Sequence, residues 1–233
     1  MEKKLKINHI TAILYGEYSD KVYLYIHDKY GSKEDARKFY EVVKEDGWQV
    51  LAMDMPEHGE RKGGPEMMNP WTLVPELALL HSYALDRWST ICLKASGLSA
   101  YFCLCAYPRT YFDKVLFVSP IINMMKSIDD TLVLSGITPE ELRERKAVKS
   151  CFGETLSMDY YLYAHDHPIK NWISPTEILH GEKDPKSDIK TAETFAEEFD
   201  CKLTVLENHG KVTPVDADLP ELTAWIQNAI KLV

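Results

Sequence analysis

The sequence predicts an α/β fold: a single domain in which a mostly parallel central sheet carries helices on both faces and a short helical cap is inserted. Three observations predict it. Val22 to Ile26 (VYLYI) and Trp48 to Met53 (WQVLAM) are β-rich apolar runs separated by a helix-length segment. That is the spacing of a βαβ unit, which implies parallel strands joined by a right-handed crossover. Ile91 to Tyr107 (ICLKASGLSAYFCLCAY) is an apolar run, a cluster of small residues and a second apolar stretch, which reads as strand, sharp turn and buried helix. From 121 to 172 strand signals stop and helical patterns take over, and then the sheet rhythm returns. With 233 residues, 45% hydrophobic content and 11 glycines, the chain has room for one sizeable core. The expected division is a core of 1–120 and 173–233 with a cap of 121–172.

Taken in order, Lys4 to Tyr15 alternates as a strand pair. The strand Val22 to Ile26 ends at His27, the loop Asp28-Lys29-Tyr30-Gly31 follows, and Ser32 is an N-cap candidate for a helix through Glu45, closed by Gly47. The next strand ends at Asp54. Met55 to Pro70 is a polar, glycine-rich loop, and Trp71 to Trp88 is a helix. Beyond the central stretch, Lys114 to Val118 (KVLFV) is a buried strand ending at Ser119-Pro120. The insertion holds a Met/Ile segment, a helix start at Thr138-Pro139-Glu140-Glu141, and a helix from Ser157 to His165. Thr176 to Leu179 resumes the sheet, followed by His180-Gly181-Glu182-Lys183-Asp184, a helix from about Asp188 to Phe199, the strand Lys202 to Leu206, and a last helix from about Leu219 to Leu232. Open parallel sheets bind ligands beyond the carboxyl ends of their strands. The ends of interest are therefore His27-Asp28-Lys29, Gly97, Asp184 and the loop His209 to Lys211.

Where a strand turns sharply into a helix the two backbones nearly touch, so only small side chains fit two positions before and two after the tip. Centred on Gly97, the flanks are Ala95 and Ser99. Centring on Ser99 brings in the bulky Tyr101, and centring on Ser96 brings in Lys94. The pattern places Gly97 at the tip.

The net charge of −9 argues against nucleic acid or an anionic membrane as partner. Five cysteines, mostly in apolar segments and without metal-ligand spacing, read as reduced packing residues of a cytoplasmic protein. The first ten residues carry charge with no long apolar run behind them, so no signal peptide or membrane span is expected. No cofactor or metal is implied.

The segments LYIHDKYGSKEDA, LAMDMPEHGER, KASGLSAYFCLCAY, FVSPIINM, ILHGEKD and the loop after KLTVLE together resemble the α/β-hydrolase superfamily, in its small bacterial serine esterase or acyl-hydrolase branch. The resemblance covers essentially the whole chain. It implies a serine at the tip as nucleophile, a histidine after the last strand as base, and an acid that orients it. Carried over, the acid position is Asp184, the nucleophile position is Gly97, and the base position is Lys211, with His209 two residues early. The oxyanion hole would use the backbone N–H groups of Leu98 and Lys29. The family's His-Gly at that loop is His27-Asp28 here, which adds a carboxylate at the pocket.

These departures give a first reading of a hydrolase scaffold with an impaired or absent triad, in which Lys211 pairs with Asp184. The alternative is an active esterase with a displaced triad of Ser96 or Ser99, His209 and Asp184. A third reading is a binding or regulatory module. Its ligand would be an acyl or aromatic small molecule against a pocket that includes His27, Asp28 and Met124, and an exposed cap face would suit a homodimer. Milder candidates have structural readings. His165 and His167 lie at a helix end rather than in a metal pair, and His58 and Arg61 brace a loop. Met125, Tyr160, Tyr161 and Tyr163 pack the cap on the core.

Overall fold

The chain opens with a hairpin. β1 (Glu2–Ile7) and β2 (Ile10–Tyr15) pair antiparallel with Glu2 opposite Tyr15. β3 (Lys21–Ile26), α1 (Ala36–Val43) and β4 (Gln49–Met53) then form the expected βαβ unit, with Val22 opposite Gln49 in a parallel ladder. β2 joins the outer side of β4 antiparallel. This is a computed structural model and describes residues 1–153, 155–213 and 219–231.

α2 (Pro70–Leu85) leads to β5 (Thr90–Ser96) and α3 (Leu98–Ala106), and β6 (Val115–Val118) follows. Next come the cap elements α4 (Met124–Leu134), α5 (Pro139–Arg145), β7 (Ala147–Lys149), β8 (Thr155–Ser157) and α6 (Met158–Asp166). The core resumes with β9 (Thr176–Gly181), α7 (Ile189–Glu198), β10 (Lys202–Leu206) and α8 (Pro220–Ala229). The main sheet has eight strands in the order β1-β2-β4-β3-β5-β6-β9-β10, parallel from β4 onward.

Several details differ from the sequence reading, beginning with helix ends: α1 closes at Val43 rather than Glu45 and α2 at Leu85 rather than Trp88. β7 and β8 form a small antiparallel pair in the region where strand signals stop; at three residues each they are too short for alternation to register. β9 runs on through His180 and Gly181. The last helix ends at Ala229, and Leu232 lies outside the described residues.

Side chains alternate across each strand, so the sheet divides the core in two. Leu93 and Ala95 of β5 pack with Leu73, Leu77 and Phe195 of α2 and α7, whereas Cys92 lies on the opposite face with Phe39, Val43 and Ile226 of α1 and α8. Among the described residues no helix is long and apolar enough to cross a membrane. The fold thus brings the ends of β3, β5, β6 and β9 to one edge, where the candidate site lies.

Candidate functional site

Gly97 stands alone between β5 and α3, with φ 54° and ψ −123°. Glycine enters this region freely, whereas a side chain there costs on the order of 1–3 kcal/mol. Its N–H donates to Val118 O at 3.0 Å and its carbonyl accepts from Ile121 N–H at 3.0 Å, so β6 and its exit hold the tip in place.

The two neighbouring serines point elsewhere. Ser99 Oγ accepts from Ser96 N–H at 3.1 Å and sits 2.8 Å from Ser96 O and 3.1 Å from Ile26 O, which share its hydrogen. It stitches the turn to the end of β3. Ser96 faces the α1/α8 side, where its Oγ accepts from Lys94 Nζ at 2.6 Å. Both serines are fully buried.

The space above Gly97 is filled by Asp28. Its Oδ1 accepts from Lys29 N–H at 2.8 Å and Leu98 N–H at 3.2 Å, the two groups expected to line an oxyanion hole. Its Oδ2 accepts from Lys211 Nζ. A Cβ built on Gly97 would lie 2.6 Å from Asp28 Cγ and Oδ2 and nearer still to Oδ1. The carboxylate therefore occupies the volume of a tip side chain and takes both of these backbone donors.

This corrects the expected ion pair: Lys211 reaches Asp28, not Asp184. The loop is anchored beside it, because Val212 N–H donates to Ser119 Oγ at 2.9 Å. Ser119 itself holds φ 43° at the end of β6. Asp184 is left with one partner, as Oδ1 accepts from Lys186 N–H at 2.8 Å while the buried Oδ2 accepts from no donor among the described residues. His209 does not supply one. Its Nδ1 lies 2.9 Å from Glu207 O, and its own carbonyl accepts from Lys183 N–H at 2.7 Å. The structure thus gathers Gly97, Asp28, Lys29, Leu98 and Lys211, and none of Ser96, Ser99 and His209 hydrogen-bonds the Asp184 carboxylate.

His27 anchors the Asp28 loop from beneath. Nε2 accepts from Met55 N–H at 3.0 Å, so Nδ1 carries the hydrogen and donates to Asp28 O at 2.8 Å. Burial lowers its pKa to about 4, and the ring is neutral at pH 7. His58 bonds Tyr30 N–H at 3.1 Å, and Arg61 makes a bidentate pair with buried Glu76 at 2.7 Å, both bracing the loop after β4. At the end of α6, His165 bonds Asp166, and His167 donates to Tyr163 O and stacks on that ring.

Met124 lines a cavity whose walls include neither Gly97 nor His27 and Asp28. Met125 lines it as well; the cavity measures about 560 Å³ between α4, α7 and the exit of α6, and its further walls include Ile122, Ile169, Phe195 and Phe199. Tyr101 of α3 lines it too, whereas Tyr160, Tyr161 and Tyr163 are not among its lining residues. His27 and Asp28 belong to the tip rather than to this cavity. Sequence reasoning missed the Lys211–Asp28 pair and the bonded pair Lys94–Ser96. The second had a signal, since residues two apart on a strand share a face.

No protein-family model and no curated protein matches the sequence. Solved structures do match over nearly the full chain. Est1E from Butyrivibrio proteoclasticus, in a structure with ferulic acid bound, is 19% identical over 97% of this chain and 96% of its own, with a TM-score of 0.77. Mouse alpha/beta hydrolase domain-containing protein 10 is 14% identical over 99% and 98%, at 0.74. The Pyrococcus furiosus esterase Pf2001 is 15% identical over 95% and 86%, at 0.67. Together with the parallel sheet, the turn at Gly97 and the helices on both faces, these likenesses identify the fold: the chain has the α/β-hydrolase fold.

Proposed function

We propose that this chain is an α/β-hydrolase scaffold that does not carry out acyl-enzyme chemistry and instead binds a small apolar or aromatic molecule beneath its cap. The observation that carries the first half is the Asp28 carboxylate over Gly97, held by Lys29 N–H, Leu98 N–H and Lys211. Acyl transfer needs a nucleophile at the tip and free donors for the developing oxyanion. Here the tip has no side chain, and a negative charge stands where the substrate's negative charge would form. A displaced triad is disfavoured, because the Ser96 and Ser99 hydroxyls are buried in other hydrogen bonds and His209 faces Glu207 O.

The second half rests on the 560 Å³ cavity, which falls within the usual range for ligand sites and combines Met, Ile and Phe walls with charged and polar groups that include Lys126, His165, His167 and Lys190. An aromatic acid is the natural first probe, given the ferulic acid bound to the Est1E neighbour. The expected result with p-nitrophenyl acetate and butyrate is no turnover above the buffer blank, and no labelling by a fluorophosphonate. Turnover lost in Asp184→Asn would overturn the non-catalytic reading. Millimolar ferulate is expected to raise the melting temperature of the wild type but not of Met124→Trp, which fills the cavity. An equal shift in both would place the ligand elsewhere.

A further inference from the structure

On the face of the sheet away from the cap, Lys94 is an isolated amine. Its position on β5 turns it inward between α1 and α8, and it is 3% exposed. Nζ donates to Ser96 Oγ at 2.6 Å and lies 4.4 Å from the centre of the Tyr25 ring. No carboxylate lies within 4 Å of it among the described residues. A buried ammonium without a counterion is costly. Burial accordingly lowers its pKa to about 7, against the opposing pull of Asp28 and Asp35. Lys94 also borders a small cavity of about 30 Å³, open between the two helices, with Phe39, Val118, Leu222 and Ile226 among its walls. The charged groups at this cavity are Asp35 and Lys38, both from the α1 side, while α8 contributes only Leu222, Thr223 and Ile226.

The size of the cavity restricts what can reach the amine. One water needs about 10–15 Å³ by this measure, so the space suits a molecule of two or three heavy atoms. The Phe39, Val42, Val118, Leu222 and Ile226 side chains around it favour an uncharged one. We propose that Lys94 is a selective modification site for a small neutral heterocumulene, with isocyanic acid as the reagent class. The Nζ lone pair attacks the central carbon, and the C=N π pair moves to the isocyanate nitrogen. That nitrogen takes the proton released by Nζ, and Ser96 Oγ is placed to relay it. Nothing leaves, and the product is an uncharged urea that keeps a hydrogen bond to Ser96. The site lies on the opposite face from the cap cavity and does not depend on whether the tip is catalytic.

The test treats the folded full-length protein with ¹³C-cyanate at pH 7 and reads the occupancy of every lysine by peptide mass spectrometry. An ordinary lysine is neutral in roughly one molecule in three thousand at that pH, whereas Lys94 is neutral in about half. Restricted access and lower basicity reduce that advantage. The expected result is still at least a tenfold preference for Lys94 over the median lysine, shrinking as pH rises to 9.5. Ile226→Phe, which narrows the cavity without touching Lys94, should cut the Lys94 rate several-fold. Lys94 labelled no faster than the median lysine in folded protein, while labelling normally in urea, would overturn the proposal. So would an unchanged rate in Ile226→Phe.

Discussion

Two carboxylates stand at the strand ends of this sheet, and their surroundings are opposite. Asp28, at the exit of β3, accepts from two backbone N–H groups and an ammonium. Asp184, beyond β9, is the residue that the sequence reading expected as the acid, yet its buried Oδ2 accepts from no donor among the described residues. An orienting acid acts through the base it holds, and here the cation that follows β10 has turned to the other carboxylate. The difference teaches that the donors of this centre converge on Asp28, whereas Asp184 has a single backbone donor at Oδ1 and none at Oδ2 among the described residues.

The hardest test of this contrast is to restore the tip side chain. Gly97→Ser adds a Cβ inside the contact distance of Asp28 and puts a non-glycine residue at φ 54°. Backbone strain of about 1–3 kcal/mol and overpacking of similar size predict a loss of about 2–6 kcal/mol in urea unfolding, with no gain of esterase activity. A variant as stable as the wild type that hydrolyses p-nitrophenyl butyrate would show that Asp28 yields easily.

Removing the carboxylate should cost somewhat less. Asp28→Ala leaves Lys211 and the N–H groups of Lys29 and Leu98 around an empty anion site. Breaking one side of a buried pair costs about 3–5 kcal/mol, and the partial exposure of Lys211 puts this variant at the lower end. Acetate or formate at millimolar concentration should raise the melting temperature of Asp28→Ala and leave the wild type unchanged. An equal response in both proteins would mean that the donors do not form a defined anion site.

The Asp28 loop should also respond to pH through His27. Its folded pKa, lowered to about 4, lies below the ordinary value of 6.5, so the unfolded chain binds more protons between these values. The contribution is therefore fully present above pH 6.5 and is lost as pH falls toward 4, by up to about 3 kcal/mol. Unfolding free energies at pH 7 and 4.5 should show this slope, and His27→Gln should flatten it. A wild-type slope unchanged by His27→Gln would assign the pH dependence to other groups.

The sheet was readable from the sequence because its determinants are local. Alternation in VYLYI and WQVLAM and the length between them define the βαβ unit, and the turn at Gly97 follows from the sizes of Ala95, Ser99, Tyr101 and Lys94. The pairing at the centre was not readable in the same way. Lys211 and Asp28 are 183 residues apart and meet because β3, β5, β6 and β9 are neighbours in the sheet. Spacing along the chain carries no information on which of two nearby carboxylates a lysine selects. That choice is made by volume: a glycine tip leaves room that Asp28 fills, and the filled position draws the ammonium. The three-residue strands β7 and β8 escaped because no period can be recognised in so short a run.

Asp184 gives the smallest and most discriminating effect. If its side chain oriented a base, Asp184→Asn would exchange a hydrogen-bond acceptor for a donor facing that base, at a cost of a few kcal/mol. In this structure Oδ1 needs only to accept from Lys186 N–H, which the asparagine oxygen can do, and Oδ2 gives up no bond when it becomes an NH₂ group. The substitution is therefore expected to change the unfolding free energy by less than about 1 kcal/mol, far less than Asp28→Ala. Measured side by side in urea, a loss at position 184 equal to that at position 28 would mean that Asp184 is held by a donor as strongly as Asp28 is, and the contrast between the two carboxylates would disappear.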